Sequence, residues 1–199
     1  MTVRSTTRPA PAGTRRERAR AATIEEIKST ALALMHESGT TDIRFTDIAR
    51  LMGMTPPALY RYYADRDALL TDLITDSFDV LGQRLAAADA EVKDRDTWSR
   101  WLAAATAYRT WARAEPQRFA LILGMPVPGY AAPEDGPTTE AAARAMGQLA
   151  QLFVAAAQCG DLRRPMVQTV SSAMAACAET NHPELEGVLP HETFQAMIH

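Results

Sequence analysis

Only two cysteines, Cys159 and Cys177, occur in the 199 residues. Two thiols are too few for a disulfide framework, and both are expected to be reduced, buried structural residues of a cytoplasmic protein. The chain has no glycine-rich phosphate loop, no Cys-x-x-Cys pair and no His-Glu-x-x-His motif, which removes the usual nucleotide, thiol-redox and zinc-hydrolase signatures. Its four histidines, His36, His182, His191 and His199, are scattered. An enzyme, a cofactor and a metal are therefore not expected. No run approaches the roughly 18 apolar residues that a membrane span needs. The apolar stretch near Leu121 is broken by Gly124, Pro126, Pro128 and Gly129. No apolar core accompanies the first arginines, so a secretory leader is not expected either. Runs of Val, Ile and Thr are scarce, and nothing alternates between turn residues in the manner of a strand. What remains is alanine-rich and helix-forming, and the expected fold class is all-α.

The net charge of −3 conceals an asymmetry. Residues 1–70 carry eleven Lys/Arg against eight Asp/Glu, a net of +3, leaving −6 for the remainder. Such a distribution suits a protein that places one end on an anionic polymer, although ordinary surface variation also produces it. Residues 1–20 hold Arg4, Arg8, Arg15, Arg16, Arg18 and Arg20 among prolines and small residues, and are expected to be a disordered basic arm. Helical periodicity starts at Ile24 and continues through Ile27, Ala31, Leu34 and Met35 until Ser38-Gly39 stops it. A two-turn helix follows, carrying Phe45, Ile48, Ala49 and Met52 and ending at Gly53. Thr55 is placed to cap a third helix, with Pro56 in the first turn, where its missing N–H costs nothing. Asp65 is placed to cap a long helix with Leu69, Leu70, Leu73, Ile74, Phe78, Leu81 and Leu85 as its buried stripe. Further helices are expected over Thr97–Glu115, Pro116–Leu123, Thr139–Cys159 and Arg163–Thr180, with a last short one near the C-terminus.

Two short helices joined by a glycine turn within about twenty residues form a helix-turn-helix when the second helix is free to enter a DNA groove. Gly53 supplies the positive φ of the turn. Taken alone, the pattern also describes an αα-hairpin inside a bundle. Tyr60, Arg61, Tyr62, Tyr63 and Arg66 fall within seven residues, however, and so short a helix is not expected to bury three tyrosines. Their phenols are expected to reach phosphate oxygens. Arg66 falls in a first helical turn, where the helix dipole disfavours a cation, and a bound phosphate would explain it.

The string from Gly53 to Leu70, GMTPPALYRYYADRDALL, closely resembles the G-x-[ST]-x-x-x-LY-x-[HY]-F-x-x-K-x-x-LL signature of tetracycline-repressor-like (TetR family) regulators. The resemblance runs from about Ile24 to Leu73. Tyr63 stands where that family has Phe, Arg66 where it has Lys, and Arg44 at a usual Ser/Thr cap. The resemblance implies a three-helix DNA-binding domain over residues 21–68, joined by a long helix to a helical effector-binding and dimerisation domain over residues 69–199. It implies that Thr55 and Tyr60 bond phosphates, with Tyr62 and Arg66 clamping the backbone, and that Pro56, Pro57 and Ala58 face the bases. Prolines offer no N–H, so hydrogen-bonded base readout falls to Arg44, Thr46 or Arg61. The implied partners are a palindromic double-stranded operator, a second copy of the chain and a small-molecule effector, the last releasing a repressor from its DNA.

Trp101, Ala105 and Tyr108 share one face of a helix, Trp111 follows a turn later, and Phe119 and Phe153 come from later helices. These six residues are the expected lining of an apolar or aromatic effector site, ordinary core packing being the alternative. Small residues crowd the two late helices, which fits a subunit interface or a tight internal packing. The rival class is a helical small-molecule-binding or enzyme-like protein whose helix-turn-helix is purely structural.

Overall fold

The computed structural model describes residues 14–124, 127–133 and 135–161, and among them it is all-helical. Seven helices follow one another: α1 (Arg15–Ser38), α2 (Phe45–Leu51), α3 (Pro56–Leu59), α4 (Arg66–Glu91), α5 (Thr97–Ala114), α6 (Pro116–Leu123) and α7 (Pro137–Gln158). The helix expected over Arg163–Thr180, the C-terminal one, Cys177, His182, His191 and His199 lie outside the described residues. Two compact units are present, one of residues 1–70 with 127–129, the other of residues 71–126 and 130–199. The division falls within α4.

In the first unit, α1 begins well before residue 20. Thr14 caps it: its Oγ1 accepts from the Glu17 N–H at 3.3 Å, while the Glu17 carboxylate accepts from the Thr14 N–H at 2.6 Å. This reciprocal box satisfies two otherwise orphaned donors and overrides the expectation of a disordered arm for residues 14–20. Residues 1–13 lie outside the described part of the chain. Gly39 ends the helix in the left-handed conformation (φ 66°), its N–H donating to the Met35 carbonyl at 3.0 Å. Ile27, Ala31 and Met35 are the buried apolar stripe of α1, one helical turn apart. Phe45, Ile48 and Ala49 of α2 and Leu59 of α3 complete the buried set with Ile43, Leu69 and Leu70. Each fully buried residue of Leu or Ile size contributes about 1.5–3 kcal/mol of transfer free energy. Tyr63 is also buried, contrary to the expectation that all three tyrosines face outwards.

The second unit is built on the C-terminal part of α4, on α5, α6 and α7. Leu81, Leu85, Ala104, Trp111 and Leu152 form its core cluster, flanked by half-buried Trp101, Tyr108 and Phe119. Gly82 lets α7 approach α4 closely: a Cβ there would lie 3.2 Å from the Ala145 Cα. Asp96 caps α5, accepting from the Ser99 N–H at 3.0 Å and the Ser99 hydroxyl at 2.7 Å, and these bonds hold its carboxyl below the usual carboxylate range. Arg100 on α5 grips Asp89 on α4 with two donors, at 2.7 and 2.8 Å. That hydrogen-bonded fork, aided by the guanidinium charge, holds the Asp89 carboxyl below its ordinary range against an opposing contribution from burial.

Candidate nucleic-acid interface

Gly53 adopts φ 64°, so the turn between α2 and α3 is made in the left-handed region that glycine enters freely. The Met54 N–H donates to the Ala49 carbonyl at 2.8 Å and closes the turn. Ala49 is fully buried where α2 and α3 pack together, and Leu59 anchors α3 from the other side. The second short helix is thereby held with its opposite side in solvent.

Thr55 stands at the N-cap of α3 with extended dihedrals, but its side chain makes no capping bond. α3 covers only Pro56–Leu59 and continues as a tight turn in which the Tyr62 N–H donates to the Leu59 carbonyl at 2.9 Å. Thr55, Pro56 and Pro57 are exposed and Ala58 is half-buried. Arg44, the N-cap of α2, makes no capping bond and is exposed, as is Thr46 in the first turn of that helix. Tyr60 is 55% exposed, with its ring 5.2 Å from that of buried Phe45 and tilted against it. Arg61 is exposed and Tyr62 half-buried. The unit thus gathers two guanidiniums, two threonines, two prolines and two tyrosines from α2, α3 and the following turn.

Arg66 does not join this set as a free clamp. Its Nε donates to the Ile43 carbonyl at 2.9 Å, its Nη1 to the Pro128 carbonyl at 3.2 Å and its Nη2 to the Asp42 carboxylate at 3.0 Å. Asp67 lies 3.9 Å away as a further counter-charge. A cation in the first turn of α4 is accounted for by these internal acceptors, and no phosphate is needed to explain it.

Arg20 was overlooked in the sequence because its partners are distant in the chain. Its guanidinium lies over the Tyr62 ring, 5.1 Å from the centroid, and donates to the Arg61 carbonyl at 3.1 Å. The one local signal was the Thr14-x-x-Glu17 capping pattern, which folds this segment and fixes where Arg20 points.

A family model described as bacterial regulatory proteins, tetR family, matches residues 27–73, and a second, tetracyclin repressor-like, C-terminal domain, matches residues 101–195. The crystal structure of SCO4313, assigned as a regulatory protein, is 31% identical, with a TM-score of 0.62 over 92% of this chain and 96% of that one. The chain belongs to the TetR family. The HTH-type transcriptional regulators Rv1816 of Mycobacterium tuberculosis and Mb1846 of Mycobacterium bovis are each 38% identical to this TetR-family chain over 128 residues, or 64% of it. The match takes in 54% of each, so the chain spans about half the length of these curated relatives. A protein with unknown function from Rhodococcus sp. RHA1 shares 21% identity at a TM-score of 0.60 over 96% of this chain and 94% of that one, a likeness of fold alone. The curated relatives that this TetR-family chain matches are named for control of transcription.

In the second unit five of the six residues expected to line an effector site pack on one another or on one core cluster, and Ala105 does not join them. Trp111 is buried, and its ring centroid lies 6.4 Å from those of both Tyr108 and Phe119. Tyr108 and Phe119 meet edge-on at 6.3 Å. Trp101 meets Phe153 edge-on at 4.6 Å. Ala105 is exposed; Ala104 is the alanine that faces the core. The rings fill space against one another instead of enclosing it. An open cavity of about 310 Å³ lies between α4 and α5, lined by Arg84, Ala88, Glu91, Thr110 and Trp111 among others, and of the six residues only Trp111 lines it. Among the described residues the buried indole N–H of Trp111 has no hydrogen-bond partner. Cys159, at the C-cap of α7, is exposed and not the buried thiol expected. No helix among the described residues is long and apolar enough to cross a membrane.

Proposed function

We propose that this TetR-family regulator is a cytoplasmic repressor that binds a palindromic operator as a homodimer and is released by a small apolar or aromatic effector. The observation that carries the reading is the exposed edge of the helix-turn-helix. Pro56 and Pro57 offer apolar contact to base edges such as a thymine methyl, while Arg44, Thr46 and Arg61 supply hydrogen-bonding groups for bases. Thr55, Tyr60 and Tyr62 supply neutral hydroxyls suited to phosphate oxygens. In this reading DNA contact belongs to residues 21–68, and effector and subunit contacts to residues 69–199. A two-fold dimer sets two recognition helices about 34–36 Å apart, or a multiple of it, so a palindromic site follows from the symmetry.

The effector site is supported by the cavity between α4 and α5, which Trp111 lines together with Ala88 and Thr110. The subunit interface is supported by the small residues of α7. Ala141, Ala145 and Ala156 are already buried within the unit, so the partner falls to other positions on that helix. An effector acts here by binding one conformation better than another, which shifts the population away from the one that fits the operator. The test is a gel shift with the DNA flanking the protein's own gene, with and without candidate effectors, alongside sedimentation of the free protein. A specific shift by a dimer supports the reading. Its absence favours a helical binding protein with a structural helix-turn-helix.

A further inference from the structure

Helix α1 extends beyond what its core packing requires. From Arg15 to Glu26 no side chain is buried, and the first buried residue is Ile27. Those twelve residues span roughly 18 Å of helix at about 1.5 Å per residue. So short a helical segment is marginal in water unless something holds it. Two devices do so here. One is the capping box of Thr14 and Glu17. The other is Arg20, which donates to the Arg61 carbonyl and lies over the Tyr62 ring.

Between this overhang and the turn after α3 lies an open cleft of about 490 Å³ lined by Arg16, Arg20, Arg61, Tyr62 and Glu17 among others. Three guanidiniums face one carboxylate there, and that carboxylate is engaged by the Thr14 N–H. The Thr23 hydroxyl, also on the wall, donates to the Ala19 carbonyl and adds no free donor. The cleft therefore presents excess positive charge to an anion, from forked donors that suit phosphate oxygens. It adjoins the turn that carries Tyr60 and Arg61.

We propose that this cleft seats a backbone phosphodiester of bound DNA, with Arg16 as the contacting group and Arg20 as the positioning residue that docks the α1 overhang against the recognition turn. The proposal rests on the DNA-binding reading above. Arg20 spends one Nη1 donor on the Arg61 carbonyl and its planar face on Tyr62; without it, the overhang that carries Arg16 loses its attachment to the turn.

The test uses the full chain, its specific operator duplex and a mismatched duplex of equal length, with binding measured from 50 to 300 mM salt. Arg16→Ala is expected to lower the slope of log K against log salt by about 0.9, one phosphate, and to weaken binding about fivefold at 0.15 M salt. Loss should be equal on both duplexes, because a backbone contact carries no base information. The positioning role is read from a double-mutant cycle: Arg16→Ala should cost nothing further in an Arg20→Ala background, whereas two independent charges would lose additively. Arg20→Lys keeps the charge but lacks the planar fork, and is expected to behave as Arg20→Ala. Helicity and melting of each variant are checked by circular dichroism. Arg16 makes no packing contact in the core, so its variant reports even if Arg20 variants unfold. If the wild-type chain binds its operator but Arg16→Ala leaves the slope unchanged, or the cycle is additive, the inference is overturned. If the wild-type chain shows no specific binding, the DNA-binding reading itself fails.

Discussion

Arg66 at the start of α4 holds Asp42, twenty-four residues earlier, with an Nη2 to carboxylate distance of 3.0 Å. The same guanidinium takes the Ile43 carbonyl at 2.9 Å and so fixes the strand of chain that leads into α2. Arg44, the exposed residue expected to read bases, follows directly. Arg66 thus steadies the backbone that presents Arg44.

Arg66→Ala is expected to lower stability by about 1–3 kcal/mol, the usual range for losing charge-assisted hydrogen bonds. Arg66→Lys should fail to restore it, since one ammonium cannot span three acceptors in fork geometry. Chemical denaturation of the three proteins checks both statements. A full rescue by Lys would show that charge alone matters at this position.

Gly53→Ala places a Cβ at φ 64°. The left-handed region costs a non-glycine residue about 1–2 kcal/mol. No atom lies within 4 Å of the added Cβ, so the loss should come from backbone strain and not from a clash. Denaturation midpoints measure it, and Gly53→Asn, which tolerates this region better, should lose less.

Gly82→Ala in α4 meets the Ala145 backbone at 3.2 Å. Helix propensity favours the substitution by about 1 kcal/mol, whereas crowding of α7 opposes it. The expected result is little or no gain in melting temperature, and Gly82→Leu should destabilise the second unit outright. A gain of the full propensity value in Gly82→Ala would show that α7 shifts away freely.

The Asp89–Arg100 pair predicts an acid limb of stability. The folded carboxyl lies below its ordinary value of 3.8, so the unfolded chain binds the proton more readily than the native one does. The stabilisation is complete above the unfolded value and is lost as pH falls through the lower, folded value. Melting temperature followed from pH 6 down to pH 2 should fall less steeply in Asp89→Asn than in the wild type. Identical profiles would show that the pair contributes nothing to pH-dependent stability.

Local chemistry was legible in the chain. Gly39 and Gly53 sit where helices stop, Asp65 accepts from the Ala68 N–H at 2.7 Å as a cap should, and Leu59 is the fully buried anchor of α3. Non-local chemistry was not. Arg66 was read as a phosphate clamp because its partners, Asp42, Ile43 and Pro128, are spread along the chain. Tyr63 was read as outward-facing, yet the fold buries it. Arg20 was assigned to a disordered arm because the Tyr62 ring it covers is forty-two positions away. The error at Ala105 is of a different kind: neighbouring helical positions differ by about 100° in direction. A shift of one residue was therefore enough to choose the exposed Ala105 over the buried Ala104. Aromatic spacing on α5 points to a cavity, and only the fold shows which rings pack on one another and that Trp111 alone of them lines the open space.

If the edge formed by α2, α3 and the following turn grips operator DNA, Tyr60 is the residue whose loss should reveal it. Its ring packs on Phe45 while more than half of the residue stays exposed. Tyr60→Phe keeps the ring and removes only the hydroxyl, so folding is expected to be unchanged. Affinity for the DNA flanking the protein's own gene, measured by fluorescence anisotropy, should fall by about five- to tenfold for one lost hydrogen bond of roughly 1 kcal/mol or slightly more. The loss should be equal on matched and mismatched operators. Unchanged affinity in Tyr60→Phe, together with unchanged affinity in Arg61→Ala, would contradict the account.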